Sequence, residues 1–538
     1  MCHSVVVKQR MCHSVSQIGE QKQEVSRLTK VEQPPLLIRT GQPTPHTHPH
    51  LVQPGEVTYG ISRGEYSERR HKLMESLGKE EGKHHVVILP ATPKRYMIDK
   101  IPYLYRQDTD MLYMSGCLEP NCVLVLHTLP GKRAPLHKSV MFTPHHEPSQ
   151  ELWDGPRTGP SNAPDVWGVD AGLPLSELTR YLGHLESDLT SPTLWYHSQG
   201  APNPEIQRQL QGWLLGGRQG GMESPKSHLH KLRFVKSPAE IELMRRACRI
   251  SGESIAATMR ATSAPVMEHQ LFAIVDYQSR MRGADYLAYP PVVAGGPRAN
   301  IIHYINNNQI INPGEMVLMD AGGEFRGYSG DVTRTWPVSG EFTPAQRDVY
   351  EAVREVQQTV INACIQRPTL DQLFSIMCTK LGKVLQELCI LPLNFNDGQL
   401  MRVSTYGFCP HHVSHYLGMD VHDTPLVPRN RPLKPGCIIT VEPGIYISEN
   451  NTTVPSRYPG LGVRLEDDVL ITEDGVEVLS NSCPKHPDEI EAIVGADYKD
   501  DVLNNSYLTS QVEFIFVIQY CTVFAISIKI QSVHFNTQ

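Results

Sequence analysis

Residues 411 to 423 read HHVSHYLGMDVHD, four histidines and two aspartates in thirteen residues. His411 and His415 stand four apart, the spacing of two metal ligands on one face of a helix. A zinc protease of that kind needs a glutamate beside the first histidine as general base, and position 412 is a second histidine. Its third ligand would fall at Val421, with His422 one place late. The stretch is therefore not a self-contained zinc cradle. It is either a histidine-rich surface loop or one part of a site whose carboxylates come from elsewhere in the chain.

Four carboxylates could complete such a site. In MVLMDAGGEFRGYSGDVTRTW, Asp320 ends an apolar strand and Asp331 opens the next, with Gly322, Gly323, Gly327 and Gly330 between them. A hairpin there would bring the two acids face to face, although aspartates beside glycines are also ordinary turn residues. Glu442 follows the apolar run IITV and precedes Pro443, which holds it extended on a strand expected to be buried. Glu466 lies inside GVRLEDDVLIT, two residues after Arg464. Period-2 alternation puts both on one face, so a plain Arg464–Glu466 ion pair is the alternative to a ligand role. Four such acids in one interior would raise one another's pKa or demand cations, and two divalent ions would cancel them. His415 is then the candidate imidazole. Spacing alone does not say whether the four converge.

The elements that must position these residues fall into two runs. From about 60 to 215, helical segments such as EYSERRHKLMESLGK and LSELTRYLGHLES alternate with the strands HHVVILPA, CVLVLHTL and SVMFTP, which reads as an α/β unit. The Gly-, Pro- and Ser-bearing stretch 216 to 228 is the best boundary. Beyond it, Ser237-Pro238, Thr343-Pro344 and Thr369 each open a helix in cap position, and short strands follow in separate runs. That pattern is α+β from 229 to about 490. The domains expected are a mostly disordered leader 1–59, an α/β domain 60–228, a catalytic domain 229–490 and an atypical tail 491–538.

Composition narrows the partners. The chain of 538 residues is 40% apolar and 20% charged, ordinary for a globular enzyme. Fifty basic against 57 acidic side chains leave a net charge of −7, with no basic run to suit nucleic acid or an anionic membrane. Twelve cysteines without regular spacing point to reduced thiols in place of a disulfide framework. The first residues lack the apolar core of a secretory signal, and Glu20, Glu24 and Glu32 interrupt any basic presequence. The apolar run 513 to 530 falls short of the roughly 20 residues a spanning helix needs. An aggregation-prone strand is the expectation there, with a tail anchor as the alternative.

Taken together, MDAGGEFRGYSGDVTRTWPV, HHVSHYLGMDVHD, TVEPGIYI and GVRLEDDV occur in the order and spacing of the pita-bread metallopeptidases, and the chain resembles that family. YRQDTDMLYMSG at 105 to 116 and LWDGPR at 152 to 157 resemble the amino-terminal domain of aminopeptidase P. The segments 41 to 60, 287 to 296 and 409 to 425 are similar to its mitochondrial branch. The resemblance covers about 41 to 490. It implies two divalent metal ions, Mn²⁺ foremost, held by Asp320, Asp331, His415, Glu442 and Glu466. It further implies Glu442 as proton shuttle and His303, His411 and His422 around the substrate carbonyl. Tyr446 and Arg464 match the family's supporting pair, and Trp153 would be an apolar wall for the substrate. The activity implied is release of the first residue from Xaa-Pro-Yaa peptides, with a prolidase or a non-catalytic binding module as the alternatives. A homodimer in the mitochondrion is implied too, the cytoplasm being the other compartment considered.

Overall fold

The structure is a computed structural model describing residues 40–78, 84–189, 191–199, 203–214, 222–403 and 407–496. The chain divides into two compact units, Met1–Ser224 and Pro225–Gln538. The boundary lies a few residues before the expected 228 because Pro225 starts a helix, Lys226–Arg233, that belongs to the second unit.

The first unit is built on a six-stranded mixed sheet. Its strands are β1 (His85–Pro90), β2 (Val123–Thr128), β3 (His137–Thr143), β4 (Ala171–Pro174), β5 (Thr193–Trp195) and β6 (Met222–Glu223), in the order β6-β5-β1-β2-β3-β4. Every residue of β1 and β2 is buried, as expected of strands covered on both faces. Leu178, Leu182 and Leu185 of α2 (Leu178–Asp188), at helical spacing, join Ile206 and Leu210 of α3 (Pro204–Leu214) in the core over the sheet. α1 (Arg63–Leu77) starts at the Ser62 cap, whose side chain accepts from the Glu65 N–H.

Part of the expected leader is ordered. Residues 40–59 are described: Thr40, Gln42, Thr44 and Val52 are buried, and Glu56–Thr58 is a strand. Their order comes from polar anchoring that no periodicity signals. The Gln42 side chain accepts from the Trp167 Nε1–H (2.8 Å) and the Leu118 N–H (2.8 Å), and donates to the Gly116 carbonyl (3.1 Å). The 1–39 leader and the apolar run 513 to 530 lie outside the described residues. No helix among the described residues is long and apolar enough to cross a membrane.

In the second unit the expected helix starts are capping boxes. Ser237 pairs with Glu240 at the head of α4 (Pro238–Ala261), Thr343 with Gln346 at α6 (Pro344–Ala363), and Thr369 with Gln372 at α7 (Leu370–Glu387); α5 (Glu268–Met281) lies between. The strands are β7 (Val292–Gly295), β8 (Met316–Ala321), β9 (Gly323–Phe325), β10 (Tyr328–Ser329), β11 (Val332–Pro337), β12 (Ile438–Val441), β13 (Gly444–Tyr446), β14 (Gly462–Arg464), β15 (Asp467–Ile471) and β16 (Val476–Val478). They pair as β7-β8-β11, β9-β10, β12-β15-β16 and β13-β14. One apolar core of Trp336, Tyr350, Val353, Leu373, Leu381, Ile439 and their neighbours joins helices to sheets. Burying each such side chain contributes about 1.5–3 kcal/mol.

The hairpin between β8 and β11 depends on glycine. A Cβ at Gly322 would lie 1.8 Å from the Gly330 carbonyl oxygen, and one at Gly330 would meet Ser251 Oγ on α4 at 2.4 Å. Only bare backbone lets the strands and helix approach this closely, and that approach brings Asp320 and Asp331 to one face of the hairpin, Asp320 opposite Thr333.

Candidate active site

Three neighbouring strands set the floor of the site. In β8 and β11, Asp320 is paired with Thr333, and Thr333 bridges in turn to Glu466. Asp331 stands two residues before Thr333 and so projects on the same side. The Thr333 hydroxyl donates to Glu466 Oε2 at 2.6 Å, and the Asp331 backbone N–H is held by Asp468 Oδ2 at 3.1 Å.

The histidine stretch is not helical. Its residues 413 to 417 run antiparallel beside β12: the Thr440 N–H donates to the His415 carbonyl (3.0 Å) and the Glu442 N–H to the Val413 carbonyl (2.9 Å). This register sets His415 next to Glu442. His415 Nδ1 donates to the Tyr416 carbonyl at 3.1 Å, which turns Nε2 toward the acids, Asp331 Oδ2 at 3.4 Å and Glu442 Oε1 at 3.7 Å; on losing its proton Nε2 is the nitrogen that offers a lone pair. A ring whose far nitrogen is tied to a carbonyl is the tautomer a metal ligand requires.

Asp331, His415 and Glu466 each offer one ligand atom, and these atoms lie within 4.8 Å of one another. Asp320 and Glu442 border the same group. Asp320 Oδ2 accepts from Arg464 at 2.6 Å, so Arg464 pairs with Asp320 and not with Glu466 as strand alternation suggested. The two side chains do share a face: Arg464 Nε donates to the Thr333 hydroxyl at 3.2 Å, which in turn donates to Glu466, while the tip of the guanidinium reaches Asp320.

From Arg464 a chain of bonds leads to His411. Arg464 donates to the Tyr446 hydroxyl (2.9 Å), Tyr446 donates to His411 Nε2 (2.9 Å), and His411 Nδ1 donates to the His412 carbonyl (2.9 Å). Both nitrogens of His411 are thus engaged. His412 stacks flat on Phe374, ring centroids 4.8 Å apart. His303, His411, His412, His415, His422 and Glu442 line a cavity of about 430 Å³, together with the apolar faces of Ile302, Tyr416, Pro425 and Val427. His422 meets the His415 ring edge-on at 4.6 Å. Trp153 lies in the first unit on the helix Pro148–Asp154, its indole 78% exposed.

The electrostatics are those of a site short of positive charge. Burial, reinforced by Asp331 and Asp320, pushes Glu442 up to about 7 despite His415 and Arg464. Glu466 rises well above the carboxylate range by burial and by repulsion from Asp331, Glu442 and Asp320. Asp320 rises by burial and Asp331, though Arg464 opposes the shift. Burial alone would lower His415, but the Asp331 and Glu442 carboxylates outweigh it and hold its imidazolium up to about 9. His411 is pushed down to about 4 by burial and by Arg464, so it is neutral. Oxygen donors in excess, one correctly oriented imidazole and unneutralised acid form a donor set that fits hard or borderline divalent cations.

One residue escaped the sequence reading. The Tyr289 hydroxyl reaches Asp320 Oδ1 (2.7 Å) and Asp331 Oδ1 (2.6 Å), spanning the two acids. It sits in LAYPPVVAGG, and nothing in a Tyr-Pro-Pro turn announces a partner 31 or 42 residues away.

The fold and this constellation agree with what is known of other proteins. Residues 242–473 match metallopeptidase family M24, and 66–195 match the aminopeptidase P N-terminal domain. The chain belongs to the M24 metallopeptidases of the aminopeptidase P type, pairing that N-terminal domain with a pita-bread catalytic domain. It is 44% identical to Xaa-Pro aminopeptidase 3 of Homo sapiens over 84% of this chain and 90% of the human protein. It is 38% identical to the mitochondrial intermediate cleaving peptidase 55 of Arabidopsis thaliana over 87% of this chain and 90% of the plant protein. Among solved structures it resembles aminopeptidase P from E. coli with the inhibitor Pro-Leu, with a TM-score of 0.74 and 33% identity over 81% of this chain and 98% of that one. Icp55 from Saccharomyces cerevisiae gives a TM-score of 0.71 and 32% identity, over 82% and 99%.

Proposed function

We propose that the protein is a metal-dependent aminopeptidase that releases the first residue from peptides carrying proline in second position. The observation that carries this reading is the Asp331, His415 and Glu466 cluster at the cavity lined by His303, His411 and His422. The names of the human relative and of the inhibitor-bound E. coli structure support the substrate class.

Two divalent ions, Mn²⁺ in this assignment, would be held by Asp320, Asp331, His415, Glu442 and Glu466; they supply an acidified water and a polarised carbonyl. Glu442 would hold a proton and give it to the departing prolyl nitrogen. His303 and His422 hold the scissile carbonyl oxygen. His411, kept neutral and fixed by Tyr446 and Arg464, stands behind them. Proline offers no N–H and a ring with φ fixed near −65°, so it is recognised by shape, and the apolar faces of Tyr416, Pro425 and Val427 suit that.

A homodimer is part of the proposal. It is supported by the apolar side chains Met97, Ile98 and Leu104, each at least 60% exposed on the first unit. A mitochondrial setting is supported by the plant relative's name. Chromatography of an Xaa-Pro-Yaa tripeptide and its matching Xaa-Pro dipeptide in Mn²⁺ tests the activity. Release of Xaa from the tripeptide with little dipeptide turnover is expected. Faster dipeptide hydrolysis would make the protein a prolidase, and cleavage of neither with metal bound would leave a binding module.

A further inference from the structure

Glu268, the first residue of α5, has a fully buried side chain that the reaction does not use. Its Oε1 accepts from the Gly295 N–H (3.1 Å) and Arg298 Nε (2.6 Å), and its Oε2 from the Tyr304 hydroxyl (2.8 Å) and the Gln309 N–H (2.9 Å). The Glu268 N–H in turn donates to the Gln309 carbonyl at 3.0 Å. One carboxylate thus joins the start, middle and end of the segment 295 to 309. His303 lies in that segment, exposed and directly before Tyr304, which is only 8% exposed.

A glutamate at a helix start gains some stability from the helix dipole alone. That role asks for no partners in a distant loop, whereas all four donors here come from one loop, and one of them adjoins His303. The same loop is clamped once more by Asn307, whose side chain accepts from the Val293 N–H (2.9 Å) and donates to the Pro291 carbonyl (2.8 Å). The backbone that carries His303 is therefore tied to α5 on one side and to β7 on the other.

We infer that Glu268 is a positioning residue for the reaction, fixing the His303 loop so that the imidazole meets the scissile carbonyl. This rests on the proposed role of His303. Charge-assisted bonds to a buried carboxylate are short and directional, which suits them to this task. A misplacement of about 1 Å in a contacting group lowers turnover up to roughly 10²-fold.

A double-mutant cycle on the full chain loaded with Mn²⁺, assayed on an Xaa-Pro-Yaa tripeptide, tests the inference. Glu268→Gln keeps the shape and removes the charge. It is expected to lower kcat roughly 10- to 100-fold with a smaller change in KM and unchanged bound metal. In a His303→Ala background the same change should cost less than about twofold. Tyr304→Phe removes one bond only, should show a smaller loss with the same non-additivity, and serves if Glu268→Gln does not fold. A loss that persists in full in the His303→Ala background, or wild-type kcat in Glu268→Gln, overturns the inference. Wild-type kcat in His303→Ala overturns the role of His303 instead.

Discussion

Glu466 and Asp467 are consecutive, both buried, and their carboxyl groups live in opposite electrical worlds. Glu466 looks into the acidic centre with Asp320, Asp331 and Glu442 and is driven well above the carboxylate range, by burial first and repulsion next. Asp467 looks the other way. Burial works against its ionisation too, but Arg334 (2.7 Å) and Lys485 outweigh it and hold its pKa well below the usual range. Ser480 adds a hydrogen bond at 2.8 Å, and Arg334, 1% exposed, also donates to the Glu466 carbonyl at 2.6 Å. One peptide bond separates a finished ion cluster from an unfinished one. The finished cluster braces the strand; the unfinished one has room for cations, and that difference separates structural from functional charge here.

The contrast is broken most severely at Asp331. Asp331→Asn removes a charge from the only group of ligand atoms that draws together among the described residues. Turnover should vanish and bound metal should fall while the metal-free protein still folds and melts cooperatively, since the apolar core is untouched. Elemental analysis with calorimetry reads both, and normal activity at full metal occupancy would refute the assignment.

Asp467→Asn should do the reverse. Leaving Arg334 buried beside a neutral partner costs about 3–5 kcal/mol of stability. Protein that still folds should bind its full complement of metal. Denaturant titration and metal analysis decide this, and a stable variant that has lost its metal would merge the two clusters into one.

A smaller effect sharpens the edge of the acidic region. His411 is linked to it through Tyr446 and Arg464, whereas His412 is stacked on Phe374. His411→Ala should lower kcat roughly 10²-fold, the usual scale for losing a group that supports oxyanion binding. His412→Ala should cost only a few-fold. Equal losses at the two positions would contradict the relay from Arg464.

How much of this was legible follows the same division. The acids were visible because a lone carboxylate in an apolar strand, like Glu442 after IITV, is expensive unless something compensates it. The hairpin was visible in its glycines, and the helix starts in their caps. Convergence was not visible: the bridge from Thr333 on the hairpin to Glu466 spans 133 residues and leaves no local signal. Alternation put Arg464 and Glu466 on one face, where both meet the Thr333 hydroxyl, but it could not say that the guanidinium would pair with Asp320, 144 residues earlier. Tyr289 and the ordering of residues 40–59 by Gln42 rest on single long-range hydrogen bonds, which leave no pattern in a sequence.

Without cations the acidic centre is uncompensated, and thermal melting of the metal-stripped protein against pH tests this most directly. Glu442 titrates near 7 in the folded protein against about 4.3 in an unfolded chain, so over that window the folded state holds the extra proton. His415 acts alike from about 6.5 to about 9. In both cases the stability present at the acid end is lost as pH rises. Below about pH 6.5 the depressed His411 works in the opposite sense, so the metal-free melting temperature should fall from pH 7 to pH 9, and added Mn²⁺ should restore it by an amount that grows with pH. A metal-free melting temperature that is flat or rises across that range, or one that Mn²⁺ leaves unchanged at pH 8, would contradict the account.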